Sequence, residues 1–109
     1  MTTGPAPGAR LAMLQQAVAR TPDDPFPRYG LAMELRKLGQ QNEARAAFAE
    51  LLARHPGYVA AYLMYGNLLR ALGERDEAKA VYERGAEAAA AAGNDHAHGE
   101  LVAACAELS

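Results

Sequence analysis

Apolar residues in this chain recur at intervals of three and four, and no stretch alternates apolar and polar residues as a half-buried strand would. One series occupies Tyr29, Leu31, Ala32, Leu35 and Leu38. A second series occupies Ala44, Ala47, Phe48, Leu51 and Leu52. At 3.6 residues per turn, each series lies on one face of a helix. The pattern therefore predicts a chain built from amphipathic helices.

Start and stop signals separate these helices. Asp24 precedes Pro25 and can cap a helix whose first residue is proline, where the missing N–H costs nothing. Gly39 supplies the left-handed residue that ends this helix. Asn42 is the predicted cap of the next helix, and Pro56 forbids its continuation. The two apolar series thus belong to two helices joined by a short turn.

The same signals return after 34 residues. The stretch LRKLGQQNEARAAF at residues 35–48 is matched by LRALGERDEAKAVY at residues 69–82. A fixed period of this length is typical of repeat arrays in which helix pairs stack. The second period predicts helices over about residues 59–72 and 77–92, the later one capped by Asp76.

Two flanking helices complete the array, for six in all. The first is predicted over residues 9–20, with Leu11, Leu14, Ala17 and Val18 on one face. We interpret it as the second helix of a preceding repeat whose sequence has diverged from the pattern. The last follows the break at residues 93–95, with an apolar stripe at Leu101, Ala104, Cys105 and Leu108. Because about three repeats are needed for stability, we expect both flanking helices to be structural.

These boundaries predict one domain over residues 9–109, preceded by a disordered lead-in at residues 1–8. Within it we predict a half-repeat helix, two full repeats and a capping helix, at residues 9–22, 23–56, 57–92 and 93–109 respectively. The ten residues MTTGPAPGAR at the N-terminus have no apolar core, so we do not expect a secretory signal.

Composition narrows the function classes. The formal charge of −2 gives no basic excess for nucleic acid or an anionic membrane, and no apolar tract is long enough to span a bilayer. A single cysteine cannot form an internal disulfide, which favours a reducing, cytoplasmic location. Nucleic acid, membrane and cofactor binding are therefore not expected.

Candidate catalytic chemistry is sparse. His96 and His98 point to different sides of a helix, which makes them a poor metal pair, and Asp95 beside them is the better candidate for a helix cap. Cys105 falls on an apolar stripe, with no base placed near it in any motif, so we interpret it as a small buried residue. The sequence predicts no catalytic or metal site and no enzyme.

The distribution of small and aromatic residues resembles the tetratricopeptide repeat, in particular small bacterial proteins of this family. Small residues stand where the two helices of a unit touch, at Ala32, Gly66, Ala44 and Ala78. Phe48 and Tyr82 are the aromatics late in the second helices, Tyr62 fills the place usually held by Trp, and Pro56 closes the first unit. The resemblance covers residues 23–92 firmly and implies an all-α, right-handed solenoid of helix–turn–helix repeats.

The chain departs from the family pattern at three places. Arg28 occupies the aromatic position of the first unit, so its aliphatic stem must cover what a ring would cover. Gly85 stands where Ala is common, which predicts thinner packing. Ala90 replaces the second closing proline and lets that helix run longer.

Family members are similar in that the first helix of each unit lines a concave groove for a peptide. Carried over, the resemblance predicts a peptide-binding groove formed by Phe26, Tyr29, Met33, Arg36, Leu63, Asn67 and Arg70. The steps of three or four from Phe26 to Arg36 independently place those residues on one helix face. The last helix is expected either to add Asn94, Ala97 and Leu101 or to cover the groove as an intramolecular plug.

Charge suggests a partner class. Arg36, Lys37 and Arg70 lie on first helices while most acids lie on second helices, which predicts a mildly positive groove. The expected partner is a protein or peptide with apolar anchors and some negative charge, although these cations also suit a merely solvated face. The alternative function is structural assembly, in which the end helices pair two copies. The expected state is a monomer or a weak homodimer.

One specific partner is not expected. Some relatives hold the C-terminal carboxylate of chaperones with a set of Lys, Asn and Arg residues. Asn67 matches one member of that set, but Tyr29 and Met33 occupy places where Lys and Asn would be required.

Overall fold

The structure, a computed structural model, describes residues 7–108, which form six α-helices. They are α1 Pro7–Arg20, α2 Pro25–Lys37, α3 Gln41–Arg54, α4 Val59–Ala71, α5 Arg75–Ala91 and α6 Asp95–Ala106. Each predicted helix is present. The part of the predicted lead-in at residues 1–6 lies outside the described residues. Residues 7 and 8 are helical instead, because Pro7 suits the first turn of α1.

Three tight turns are built on glycine. Gly39, Gly73 and Gly93 have φ values of +78°, +81° and +70°, the region in which a Cβ is disfavoured. The residue after each glycine donates its backbone N–H to the carbonyl five positions earlier, as Gln40 does to Leu35 at 2.9 Å. The glycine itself donates to the carbonyl three positions earlier, which completes a Schellman motif.

These turns correct three predicted caps. Gln40, Glu74 and Asn94 each close one helix and begin the next, so α3 starts before Asn42 and α5 starts before Asp76. Asn94, rather than Asp95, caps α6 through a 3.0 Å bond from the Ala97 N–H to its side-chain oxygen. The predictions placed the caps too late because the Schellman bond already fixes the residue after glycine. The Asp24 cap of α2 is confirmed, because its side chain accepts from the N–H of Phe26.

The helices group into two compact units, one up to Arg54 and one from His55 onward. In the first unit, α2 packs against both α1 and α3. Phe48 and Ala44 of α3 and Ala32 of α2 are completely buried, as their small and aromatic types predict. The helix α1 has no fully buried residue among those whose burial is described, so it is the thinly packed edge of this unit.

In the second unit, α5 packs against α4 and α6, and α6 also contacts α4. The ring of Tyr82 lies directly over Gly66, where any Cβ would overlap it. Gly85 is buried just as closely against the Cβ of Tyr62. The prediction of thin packing at Gly85 is therefore wrong, because this glycine permits a close approach of α4 and α5 rather than leaving a gap.

A membrane span is not found among the described residues, since none of the six helices combines the required length with sufficient apolar character.

Candidate functional site

The helix α2 presents a groove to solvent in the first unit. Phe26, Tyr29 and Met33 line it from α2, and they step by three and four residues along one face. Arg10 of α1 and Lys37 at the end of α2 also line it. The groove encloses about 470 Å³. We call this site, with its further lining residues Gly30 and Glu34, the α2 groove.

The α2 groove exposes a large apolar side chain. Phe26 is 72% exposed, although its ring is one of the largest apolar side chains of the protein. Tyr29 and Met33, which line the same groove, are half-buried. A wall of this composition supplies apolar contact area, and its single phenol adds a polar group.

Two residues that line the α2 groove form an ion pair with each other. Arg10 Nε lies 3.2 Å from Glu34 Oε1, which joins α1 to α2. The Glu34 side chain is almost completely buried, whereas Arg10 keeps two-thirds of its side chain in solvent. Together with the exposed Lys37, the groove has two cations and one carboxylate, so it carries a net positive charge.

Sequence reasoning missed the contribution of α1 to this groove. Gly30 is the reason that α1 lies close, since a Cβ there would meet Leu14 Cδ2 at 3.0 Å. An isolated glycine inside a helical pattern is the signal that predicts such an approach. The sequence places Arg10 only in a flanking helix, and no local pattern pairs it with Glu34.

Predicted site residues in the second unit are engaged within the protein. Asn67 Oδ1 accepts a 2.6 Å hydrogen bond from the Tyr82 hydroxyl. Arg70 Nη1 lies 2.6 Å from Glu107 Oε1 at the end of α6. Leu63 is half-buried on α4. The remaining predicted residue, Arg36, is half-buried on α2 and does not line the α2 groove.

The charge on Arg70 is stabilised by its surroundings. Its hydrogen bond to Glu107 is the main cause that raises its pKa, and Tyr82 contributes in the same direction. The last helix thus restrains this part of α4. Leu101, which the resemblance offers as a residue facing a partner, is almost completely buried instead, because it packs against α5 beside Gly85.

No cluster of three or more His, Cys, Asp or Glu residues suited to a metal occurs within residues 7–108. His96 Nε2 lies 3.5 Å from Glu100 on the exposed side of α6. Cys105 is half-buried, and its Sγ lies 4.0 Å from the Lys79 carbonyl.

Comparison with known proteins gives consistent results. Residues 35–105 match the family described as tetratricopeptide repeat. The fold is similar to the tetratricopeptide repeat domain protein of Salinibacter ruber, with 36% identity, a TM-score of 0.77 and coverage of 81% of this chain and 89% of that one. No curated protein matches the sequence significantly.

Two further solved structures have a similar fold but low sequence identity, so they support the fold and nothing beyond it. The TPR2B domain of yeast Sti1, solved in a complex with pHsp70, has a TM-score of 0.82 at 20% identity and covers 90% of this chain and 78% of its own. A protein from Bordetella parapertussis has a TM-score of 0.75 at 24% identity, with coverage of 90% and 85%. These matches confirm the predicted all-α repeat fold.

Proposed function

Because the chain belongs to the tetratricopeptide repeat family, we propose that it is a non-catalytic interaction module that binds a peptide in the α2 groove. The peptide carries an apolar anchor and at least one negative charge. The observation that carries this proposal is the row of Phe26, Tyr29 and Met33 in one groove that two cations, Arg10 and Lys37, also line.

The geometry of the α2 groove supports an extended or helical peptide. An apolar anchor seated beside Phe26 would remove a large exposed ring from water, which favours binding by roughly 25 cal/mol for each Å² buried. Lys37 and Arg10 would favour an acidic residue next to the anchor and disfavour a basic one. A groove that is already formed avoids the entropic cost of ordering the protein on binding.

We infer that residues of the second unit contribute less to peptide binding than the sequence predicts. Asn67 and Arg70 already have intramolecular partners, and a ligand would have to compete with Tyr82 and Glu107 for them. We therefore assign anchoring to Phe26, Tyr29 and Met33, and treat Leu63, Asn67 and Arg70 as secondary. Although the Sti1 domain was solved with pHsp70, Tyr29 and Met33 do not supply the cation and amide of a carboxylate clamp.

A peptide array with direct binding measurements tests the proposal. Ten-residue peptides with one Leu or Phe anchor would be flanked by Glu, Gln or Lys, and fluorescence anisotropy would measure their affinity. We expect the acidic series to bind more tightly than the neutral series and the basic series to bind least. Phe26→Ala should weaken binding by about tenfold, which corresponds to about 1.4 kcal/mol.

Met13 offers a matched control. It is 65% exposed, comparable to Phe26, but does not line the α2 groove. Met13→Ala should leave peptide affinity unchanged. Equal losses for Phe26→Ala and Met13→Ala, or equal binding of acidic and basic peptides, would show that the groove is not the binding site.

A further inference from the structure

The outer face of α1 is less buried than the corresponding faces of α3 and α5. Leu14 precedes Phe48 and Tyr82 by one and two repeats of 34 residues, and both aromatics are 0% exposed. Tyr82 is covered by α4, where it lies over Gly66. Leu14 is only half-buried, and it lines a depression of about 350 Å³ with Met13 and Ala17. On one side Leu14 lies close to Gly30 of α2, and on the other it faces this depression, where Met13 is largely exposed.

The face of α6 that corresponds to the α5-facing side of α4 is also uncovered. Equivalent positions in α2, α4 and α6 can be found by counting from their N-cap residues, which are Asp24, Tyr58 and Asn94. Eight residues after these caps stand Ala32, Gly66 and Val102, respectively. Ala32 and Gly66 are both buried, and Gly66 lies against Tyr82 of the following helix. Val102 is 47% exposed, one of three large hydrophobic side chains that are exposed in residues 7–108.

These two faces are complementary in register. Within the second unit, Gly66 of α4 meets Tyr82 of α5, and Tyr62 meets Gly85. The same register between α6 and a second α1 would set Val102 against Leu14. The pair combines two medium-sized apolar side chains where Gly66 and Tyr82 combine a very small and a very large one, so apolar groups would meet at the same level with a somewhat wider helix spacing.

We propose that α6 of one copy packs on α1 of a second copy and forms a composite helix pair. The contact is head-to-tail, since each copy contributes a different face, and it can therefore repeat along a row of copies. The α2 groove takes no part in it, so the proposal is independent of peptide binding.

Charge supports this pairing rather than a contact between two like ends. The helix α1 contains Arg10 and Arg20 and no acid. The helix α6 contains Asp95 and Glu100 and no Lys or Arg. In an antiparallel pair that follows the arrangement of α4 and α5, the first turn of α6 lies beside the last turn of α1, so Asp95 approaches Arg20. Two α1 helices would instead oppose like charges.

Sedimentation velocity across a concentration series tests the proposal with the full chain. One helix pair is a small interface, so we expect the average mass to rise between about 10 µM and 1 mM. Val102→Glu should weaken association about a hundredfold, because it places an unpaired charge in an apolar contact. Ala17→Glu should have the same effect, with Met13→Glu on the more exposed part of the same face as a second variant.

Mixing the two variants gives the decisive measurement. The Val102→Glu chain keeps an intact α1 face and the Ala17→Glu chain keeps an intact α6 face. Each variant alone should be monomeric, whereas their mixture should form a one-to-one dimer and nothing larger. Ala49→Glu, at an exposed position of α3, is the matched control and should associate like the unmodified chain.

Three results would overturn the proposal. The first is an unmodified chain that stays monomeric up to about 1 mM. The second is a dimer formed by either variant alone, because that requires two like faces. The third is a mixture that remains monomeric although circular dichroism shows both variants to be fully helical.

Discussion

Arg28 and Tyr62 lie one repeat apart, and each donates a hydrogen bond to the carbonyl of the proline six residues before it. The Arg28 Nε donates to Pro22 at 2.8 Å, and the Tyr62 hydroxyl donates to Pro56 at 2.5 Å. Both bonds join the loop before a helix to the first turns of that helix. Arg28 therefore makes the same hydrogen bond to the preceding proline carbonyl that Tyr62 makes in the second repeat.

This equivalence predicts similar losses from two different substitutions. Tyr62→Phe and Arg28→Met each remove the donor and keep most of the apolar side chain. We expect each to lower the free energy of unfolding by about 1 kcal/mol, the usual net value of one hydrogen bond. Urea denaturation followed by circular dichroism provides the measurement. A loss for Tyr62→Phe with none for Arg28→Met would mean that the two bonds are not equivalent.

Most of the fold could be predicted from the sequence because the repeat supplies every signal twice. Gly39 and Gly73 share one role, and so do Phe48 and Tyr82, so each assignment supports the other. The predicted first residues of α3 and α5 are less accurate. Caps at Asn42 and Asp76 were inferred from residue type, whereas the turn glycine and its backbone bonds decide where α3 and α5 begin.

The candidate site was less predictable because it depends on contacts between distant residues. The face of Phe26, Tyr29 and Met33 follows from helical spacing alone. Neither the Arg10–Glu34 ion pair nor the bond between Tyr82 and Asn67 has a local signal, and both depend on how the helices pack. The ion pair between Arg70 and Glu107 at the end of α6 likewise has no signal in the sequence.

The close contact at Gly85 predicts that its replacement by alanine is destabilising. The new Cβ would overlap the Cβ of Tyr62, an atom fixed to the backbone of α4, so the two helices would have to separate. We expect Gly85→Ala to cost about 2 kcal/mol. Thermal unfolding of the variant checks this value.

Gly99 is the control for that substitution. It lies within α6, where no atom would approach a new Cβ within 4 Å. Gly99→Ala should therefore stabilise the protein by about 0.5–1 kcal/mol through the lower entropy of the unfolded chain. If Gly85→Ala also stabilised the protein, the close contact between α4 and α5 at this position would be contradicted.

The two phenylalanines should separate function from stability. Phe48 is 0% exposed in the first unit, so Phe48→Ala should lower the free energy of unfolding by about 3–5 kcal/mol. Phe26 projects into solvent, so Phe26→Ala should change it by less than about 0.5 kcal/mol. Chemical denaturation of both variants provides the comparison. A large loss for Phe26→Ala would indicate a structural rather than a binding role.

The outer side of α3 carries an ion pair with a predictable pH dependence. Arg54 Nε lies 2.7 Å from Glu50 Oε2, and its other end reaches Asp23 at 3.4 Å. The hydrogen bond from Arg54 is the main cause that lowers the pKa of Glu50 below its ordinary value of 4.5. Because the folded state lowers this pKa, the pair contributes its stabilisation at neutral pH. That contribution is lost as the pH falls through the lowered value.

Carbon-detected NMR titration of the Glu50 carboxyl group measures this effect directly. In Arg54→Met the pKa of Glu50 should rise toward 4.5, because the variant removes both the hydrogen bond and the charge. High salt should raise the pKa of Glu50 in the unmodified chain as well, since the pair is exposed and its Coulomb attraction is screened. Asp23→Asn is the control: it leaves Glu50 bonded to Arg54, so the pKa of Glu50 should stay low. A Glu50 pKa that is insensitive to Arg54→Met would show that the pair does not persist in solution.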